Sequence, residues 1–344
     1  MGIPGSMTTS EMTRTGAALP SSRGPVSEAV LQAFENNTRG DVFPLAEPAD
    51  ADPLGDDLQL ALQLCYELHY QGWAGVEPDW EWDPDLLRFR SSMERVFLAA
   101  LREDVPGGTD VAGELDELLV EPLDRGGVSD FLRDDGEWWQ LREFFAHRSV
   151  YHHKEADPHA WGIPRLCGRA KAALVAVEFD EYGGGRPERM HSRLFADLLM
   201  GAGLHAGYLH YLEQVPACTI AIVNMMSLFG LHRRLRGALV GQFAAAEITT
   251  GPSALRMDQA LQRLGGAPEC RLFYTEHIEA DAVHEQVLRR DVIGDLLEHE
   301  PSLAADVVFG IQATEFLEDR LAGHLTSAWR AGRTSLRSPL LPTG

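Results

Sequence analysis

From residue 165 onward the sequence is a succession of long segments with helical periodicity, and none of it alternates as a half-buried strand would. The segments run 165–182, 187–203, 204–214, 217–249, 253–264, 271–295 and 302–331. They are divided by Gly183-Gly184-Gly185, Pro216, Gly251-Pro252 and Gly265-Gly266, residues that interrupt helices. A chain without strand signals can bury its apolar faces only by packing helix on helix, so an all-α bundle is expected.

The pattern extends upstream. Leu58, Ala61, Leu62 and Cys65 follow an i, i+3, i+4, i+7 spacing that predicts a helix from Asp57 to Tyr70. A turn-rich stretch from Gly72 to Pro84 carries Trp73, Trp80 and Trp82. A helix is predicted from Asp85 towards Arg102, and residues 127–153 read as helix around Gly136. Residues 1–55 are rich in Ser, Thr, Pro, Gly, Ala and Asp, with one helical island at Val26–Phe34. The rest of that arm is expected to be flexible or draped over the surface. Met1 to Ser6, ahead of Met7, reads as an expression scar, and no secretory signal is expected.

Charge and cysteine usage exclude several classes. A net charge of −22 opposes binding to nucleic acid or anionic membrane. The most apolar stretch, Ala217 to Gly230, is interrupted by Asn224 and Ser227 and reads as a buried helix, not a membrane span. Cys65, Cys167, Cys218 and Cys270 are widely scattered without a CxxC pair. They read as buried structural thiols in a reducing cytoplasm.

The residues that carry chemistry begin with His277, Asp281 and His284. On a helix these stand at i, i+4 and i+7, so two imidazoles and a carboxylate leave one face together, where a core-facing stripe should be apolar. They read as metal ligands. Oxygen and nitrogen donors in a helical bundle suit iron or manganese, and a metal pair needs about six or seven of them. Further candidates are Glu155, Glu181 at the end of one helix, His191 at the start of the next, and Glu247 on a mostly apolar helix. Each acid also reads as a helix-end or surface residue, and His191 as a hydrogen-bonded core imidazole. Glu188 and His191 form their own Glu-x-x-His, and Glu178 lies one turn before Glu181; spacing does not choose among the three acids. Met225, Met226, Phe229 and Tyr274 could line a pocket but fit core packing better.

Taken in order, several short motifs carry a resemblance. Lys154-Glu155-Ala156-Asp157, Asp180-Glu181-Tyr182-Gly183, His191-Ser192-Arg193-Leu194-Phe195 and His277-x-x-x-Asp281-x-x-His284 resemble those of the heme-oxygenase-like diiron oxidases, over about residues 140–335. The resemblance implies a heme-oxygenase-like bundle at 141–335, with an N-terminal helical region at 56–140 packed on it and a tail at 336–344. It implies the metal ligands Glu155, Glu181, His191, Glu247, His277, Asp281 and His284, with Glu181, central in that order, as a bridging carboxylate. Their steps of 26, 10, 56, 30, 4 and 3 residues are similar to those of N-oxygenating members. The segment Leu64 to Tyr70 through Trp80-Glu81-Trp82 also resembles the leading region of iron-containing redox enzymes.

The activity that the resemblance implies is that of a non-heme diiron monooxygenase. It would use two Fe(II) ions, O2 and an external electron donor on a small amine, with Glu178 or Glu279 available to pair with it. Desaturation or C–C cleavage of an aliphatic acid or amino acid is the alternative within the family. A homodimer is compatible with the long helices. The rivals outside it are a ferroxidase or iron-binding protein, a heme oxygenase, which would need basic residues for propionates, and a metal-free thiaminase-like hydrolase.

Overall fold

The computed structural model describes residues 16–40, 43–44, 47–120 and 127–340, apart from the side chains of 47 and 279–283. The described residues form helices joined by turns, with one isolated bridge between Ala17 and Trp73. In chain order the helices are α1 (Pro25–Asn36), α2 (Asp56–Glu67), α3 (Pro84–Glu103), α4 (Val111–Leu118), α5 (Val128–Asp134), α6 (Trp138–His152), α7 (Asp157–Ala160), α8 (Gly168–Glu181), α9 (His191–Gly201), α10 (Ala217–Leu231), α11 (Arg236–Leu264), α12 (Pro268–Val287), α13 (Asp295–His299) and α14 (Ala304–Arg330). No helix among the described residues is long and apolar enough to cross a membrane.

Local chemistry explains where these helices start. Asp83 caps α3, its carboxylate accepting from the backbone N–H of Asp85 (3.1 Å) and Leu86 (2.9 Å), with Pro84 in the first turn. From that start Leu86, Phe89, Met93, Phe97 and Leu101 fall on one buried stripe. Asp57 of α2 caps α1 from outside, accepting from Val26 N–H (2.9 Å) and Ser27 N–H (2.7 Å). That ties the island predicted at Val26–Phe34 onto α2, with Val30 and Phe34 in the core.

The centre of the bundle is α10, buried from Thr219 to Gly230. Its polar residue Asn224 is accommodated because the amide donates to the backbone and side-chain oxygens of Gln59, both at 2.8 Å. Beside it, α11 and α14 cross in backbone contact. A Cβ on Gly241 would lie 2.1 Å from the Val307 carbonyl, and one on Gly310 would lie 2.1 Å from that of Ala238. Only the absence of side chains at both positions allows the two helices to approach so closely.

Three expected boundaries are corrected. Residues 204–214 form turns instead of a helix: Leu209 takes a left-handed backbone (φ 53°), which a helix cannot contain. The single helix expected over 217–249 breaks at His232, whose extended backbone and a 3-10 turn at Arg233–Leu235 separate α10 from α11. Conversely, Gly251-Pro252 does not end α11, which runs through Pro252. The Thr249 and Thr250 hydroxyls donate to the Ala245 and Ala246 carbonyls (2.8 and 2.7 Å), and α11 packs along both α12 and α14, which offsets the roughly 3 kcal/mol that an interior proline costs. The cysteines are free; Cys65 and Cys270 are buried, whereas Cys167, expected inside, is exposed because it is the turn residue that precedes α8.

Candidate metal centre

Four chain segments converge on one buried point. Glu155 sits in the turn between α6 and α7, and Glu181 is the last residue of α8. Immediately after Tyr182, Gly183, Gly184 and Gly185 all adopt positive φ (72°, 63° and 78°), a run that reverses the chain within a few residues. A Cβ at Gly183 would lie 2.6 Å from the Met190 backbone nitrogen, so the returning chain of this bend passes directly over it. The bend delivers His191, the first residue of α9, back to Glu181: His191 Nδ1 lies 2.7 Å from Glu181 Oε2. Glu247 comes from α11, and His277 and His284 from α12 two turns apart. Just beyond, α12 widens into a π-helical segment at Leu288–Gly294, a departure frequent near functional sites.

The side chains form two adjoining groups. Glu155, His191 and His277 bring ligand atoms within 4.8 Å of one another, and so do Glu181, Glu247 and His284. Glu181 stands between the groups, with Oε2 towards His191 and Oε1 at 3.6 Å from His284 Nδ1. Six of the seven residues expected as ligands are thus together; the side chain of Asp281 lies outside the described ones. Glu188, the competitor of Glu181 at Glu-x-x-His spacing, is exposed on a 3-10 turn, while Glu178 is buried beside the groups. The Glu279 side chain also lies outside the described ones, and Met225, Met226, Phe229 and Tyr274 are buried in the core.

Surrounding bonds orient the candidates. His277 Nδ1–H donates to the Phe273 carbonyl at 2.7 Å, which fixes the tautomer and turns Nε2 towards Glu155 Oε1, 3.8 Å away. His152 Nδ1–H donates to Glu155 Oε2 at 2.9 Å, and its ring packs on Phe195 and Phe273. His284 reaches Glu247 Oε2 (2.9 Å) through Nδ1 and Asp180 Oδ2 (3.3 Å) through Nε2. His152 and Asp180 were not among the expected site residues. Their only sequence signal is adjacency, three residues before Glu155 and one before Glu181.

The electrostatics demand positive charge here. Burial pushes Glu178 up to about 9, with the charges of Glu181, Glu247 and Asp157 adding to it, and neither of its oxygens has a hydrogen-bond partner among the described residues. Burial also raises Glu247, against the hydrogen bond from His284. For Glu155 burial acts upward too, but the charges and hydrogen bonds of His152 and His277 hold it well below the usual carboxylate range. Burial lowers His284, yet the bond to Glu247 and the charges of Glu247 and Glu181 together raise it to about 9. A proton on His284 therefore does part of what a cation between these carboxylates would do. His191 Nδ1 is buried and, despite its proximity to Glu181, makes no hydrogen bond among the described residues. A buried imidazole nitrogen beside a carboxylate, with only nitrogen and oxygen donors around it, fits a first-row metal such as iron.

An all-α bundle with interior carboxylate and imidazole groups on facing helices belongs to the helical metalloproteins that place their metals in the bundle core. More narrowly, this chain is a member of the iron-containing redox enzyme family, whose sequence profile matches residues 142–319, just over half of it. It is therefore an oxidoreductase of the heme-oxygenase-like all-α class. Nitrosourea synthase of Streptomyces achromogenes subsp. streptozoticus is 26% identical over 234 residues, covering 65% of this chain and 50% of that protein. The chain spans about half the length of that curated relative.

Proposed function

We propose that the protein is an O2-activating non-heme diiron oxygenase that N-oxygenates a small amine-containing metabolite, with an external electron donor. The observation that carries this reading is the pair of three-residue groups joined through Glu181, whose two oxygens point to different groups. Glu155, His191 and His277 would hold one iron, Glu247 and His284 the other, and Glu181 both, with Asp281 completing the set. The chemistry supplied by bound iron is the reduction and activation of O2. The chain's own residues do the rest. Phe273 and His152 fix the orientation of His277 and Glu155, and the Phe195 and Phe273 rings keep water from that side. Glu178, whose carboxyl burial pushes up to about 9 and which has no hydrogen-bond partner among the described residues, lies one turn from Glu181 and could supply a proton within the interior. The name of the relative, a nitrosourea synthase, supports oxygen transfer to nitrogen.

The test is metal analysis of the protein loaded anaerobically with Fe(II), followed by O2 uptake and mass spectrometry with a panel of small amines. Two irons per chain and amine-dependent O2 uptake yielding hydroxylamine or nitroso products are expected. A single iron, or O2 uptake with no N-oxidised product, would overturn the reading; a dehydrogenated or cleaved product would transfer it to the carbon-oxidising alternative.

A further inference from the structure

A cavity of about 490 Å³ opens where the leading region meets the core, and none of the candidate ligands lines it. The end of α2 and the residues after it supply His69, Tyr70 and Gln71; α7 and the turn after it supply Asp157, Trp161 and Pro164. Asp157 is the single acid in this lining, and no lysine or arginine accompanies it. The His69 ring is engaged elsewhere, between Glu81 (3.0 Å) and Arg90 (2.5 Å). The Lys154 ammonium, whose charge is felt at Asp157, is committed to Glu67 at 2.7 Å. Asp157 Oδ1 accepts from the Tyr182 hydroxyl at 2.8 Å, and its other oxygen has no hydrogen-bond or ion-pair partner among the described residues.

We propose that this cavity is the anchoring subsite for a cationic group, an ammonium or guanidinium, of a small molecule whose other end reaches the metal groups. The inference rests on the oxygenase reading. Lys154 Nζ already covers one face of Tyr70, 4.4 Å from its ring centre, so the Asp157 carboxylate and the Trp161 ring in the same lining are the groups that would recognise an organic cation through charge and aromatic face together. Position ties the cavity to the site. Asp157 stands two residues after Glu155, a backbone span of at most about 7 Å, and Tyr182 directly follows Glu181. The hydrogen bond from Tyr182 to Asp157 links the cavity's carboxylate to the residue that follows Glu181. A net charge of −22 favours the approach of cations from solution. The leading region thereby becomes a wall of the substrate site and not merely a packing layer.

The experiment is calorimetric titration of the full-length protein with 1,4-diaminobutane and agmatine, against neutral 1,4-butanediol, in wild type, Asp157→Asn and Trp161→Leu. Asn preserves an acceptor for Tyr182 and removes only the charge. Both cations should bind wild type, at least tenfold more weakly to Asp157→Asn and several-fold more weakly to Trp161→Leu, with butanediol unbound. Equal binding to wild type and Asp157→Asn, or no preference for cations over butanediol, overturns the proposal. Iron content and O2 uptake of wild type are read separately. A protein that takes two irons and consumes O2 but ignores cations loses only this inference, whereas one that binds cations in the cavity but takes no iron loses only the oxygenase reading.

Discussion

Lys154→Met should be among the most damaging single substitutions outside the metal groups. The Lys154 ammonium and the Glu67 carboxylate are 2.7 Å apart, with side chains 1% and 0% exposed. At that separation and an effective dielectric of about 20 their attraction is about 6 kcal/mol, comparable with the several kcal/mol that burying each ion costs. The pair is therefore close to neutral as a whole, but removing one member strands the other. Glu67 would keep the Tyr208 hydroxyl (2.6 Å), the Gln71 N–H (3.3 Å) and the Gln63 amide (3.3 Å) as donors without a countercharge, and Lys154 would leave the face of Tyr70. The expected cost of Lys154→Met is about 3–5 kcal/mol. Adding Glu67→Gln, whose one oxygen still accepts from Tyr208 and Gln71 although not from Gln63, should recover most of it and leave the double variant within about 2 kcal/mol of wild type. Urea unfolding of the four proteins at neutral pH measures the cycle. A Lys154→Met cost below about 1 kcal/mol, or a double variant no more stable than that single one, would refute the reasoning.

Other consequences can be checked more simply. Glu181→Ala should remove most bound iron, since it takes away the carboxylate shared by both groups; near-stoichiometric iron in that variant would show that the groups bind independently. In the metal-free protein, the raised His284 contributes stability that is fully present below about 6.5, the unfolded value, and lost as pH climbs through about 9. Because the metal must displace that proton, iron affinity should rise over the same interval, and a flat affinity between pH 6.5 and 9 would contradict it. Glu178 has the opposite charge sign but is also raised, so its ionisation penalises the fold increasingly from about 4.5 towards 9. Glu178→Gln should gain on wild type across that window by at most about 1.4 kcal/mol per pH unit, as thermal melts of metal-free protein at several pH values would reveal. Gly310→Ala sets a methyl against the Ala238 carbonyl, and a loss of at least about 1–3 kcal/mol in chemical unfolding is expected; a neutral result would mean that α11 and α14 can slide apart freely.

Much of the fold is written in short-range pattern. Period and punctuation located α2, α3, α6 and α8, because an amphipathic stripe and a capping residue act over one or two turns of chain. The same locality put His277 and His284 two turns apart on α12. Local pattern failed where distant contacts decide. Pro252 is tolerated only because α12 and α14 pack along α11, and 204–214 is not a helix because Leu209 turns left-handed between packed elements. The choice among Glu178, Glu181 and Glu188 could not be read from spacing. What spacing could not show is the placement: three consecutive left-handed glycines fold His191 back to 2.7 Å from Glu181, while Glu178 is buried and Glu188 is exposed. Asp180 gains its role only when segments over 100 residues apart meet, as it and His284 do, whereas His152 acts on Glu155 three residues along the chain. By itself the sequence determined which residues can be helical and which can bind metal, since both are properties of a residue and its near neighbours. Only the tertiary structure decided which of those side chains share a group, because the direction of a ligand is set by the packing of the whole helix that carries it.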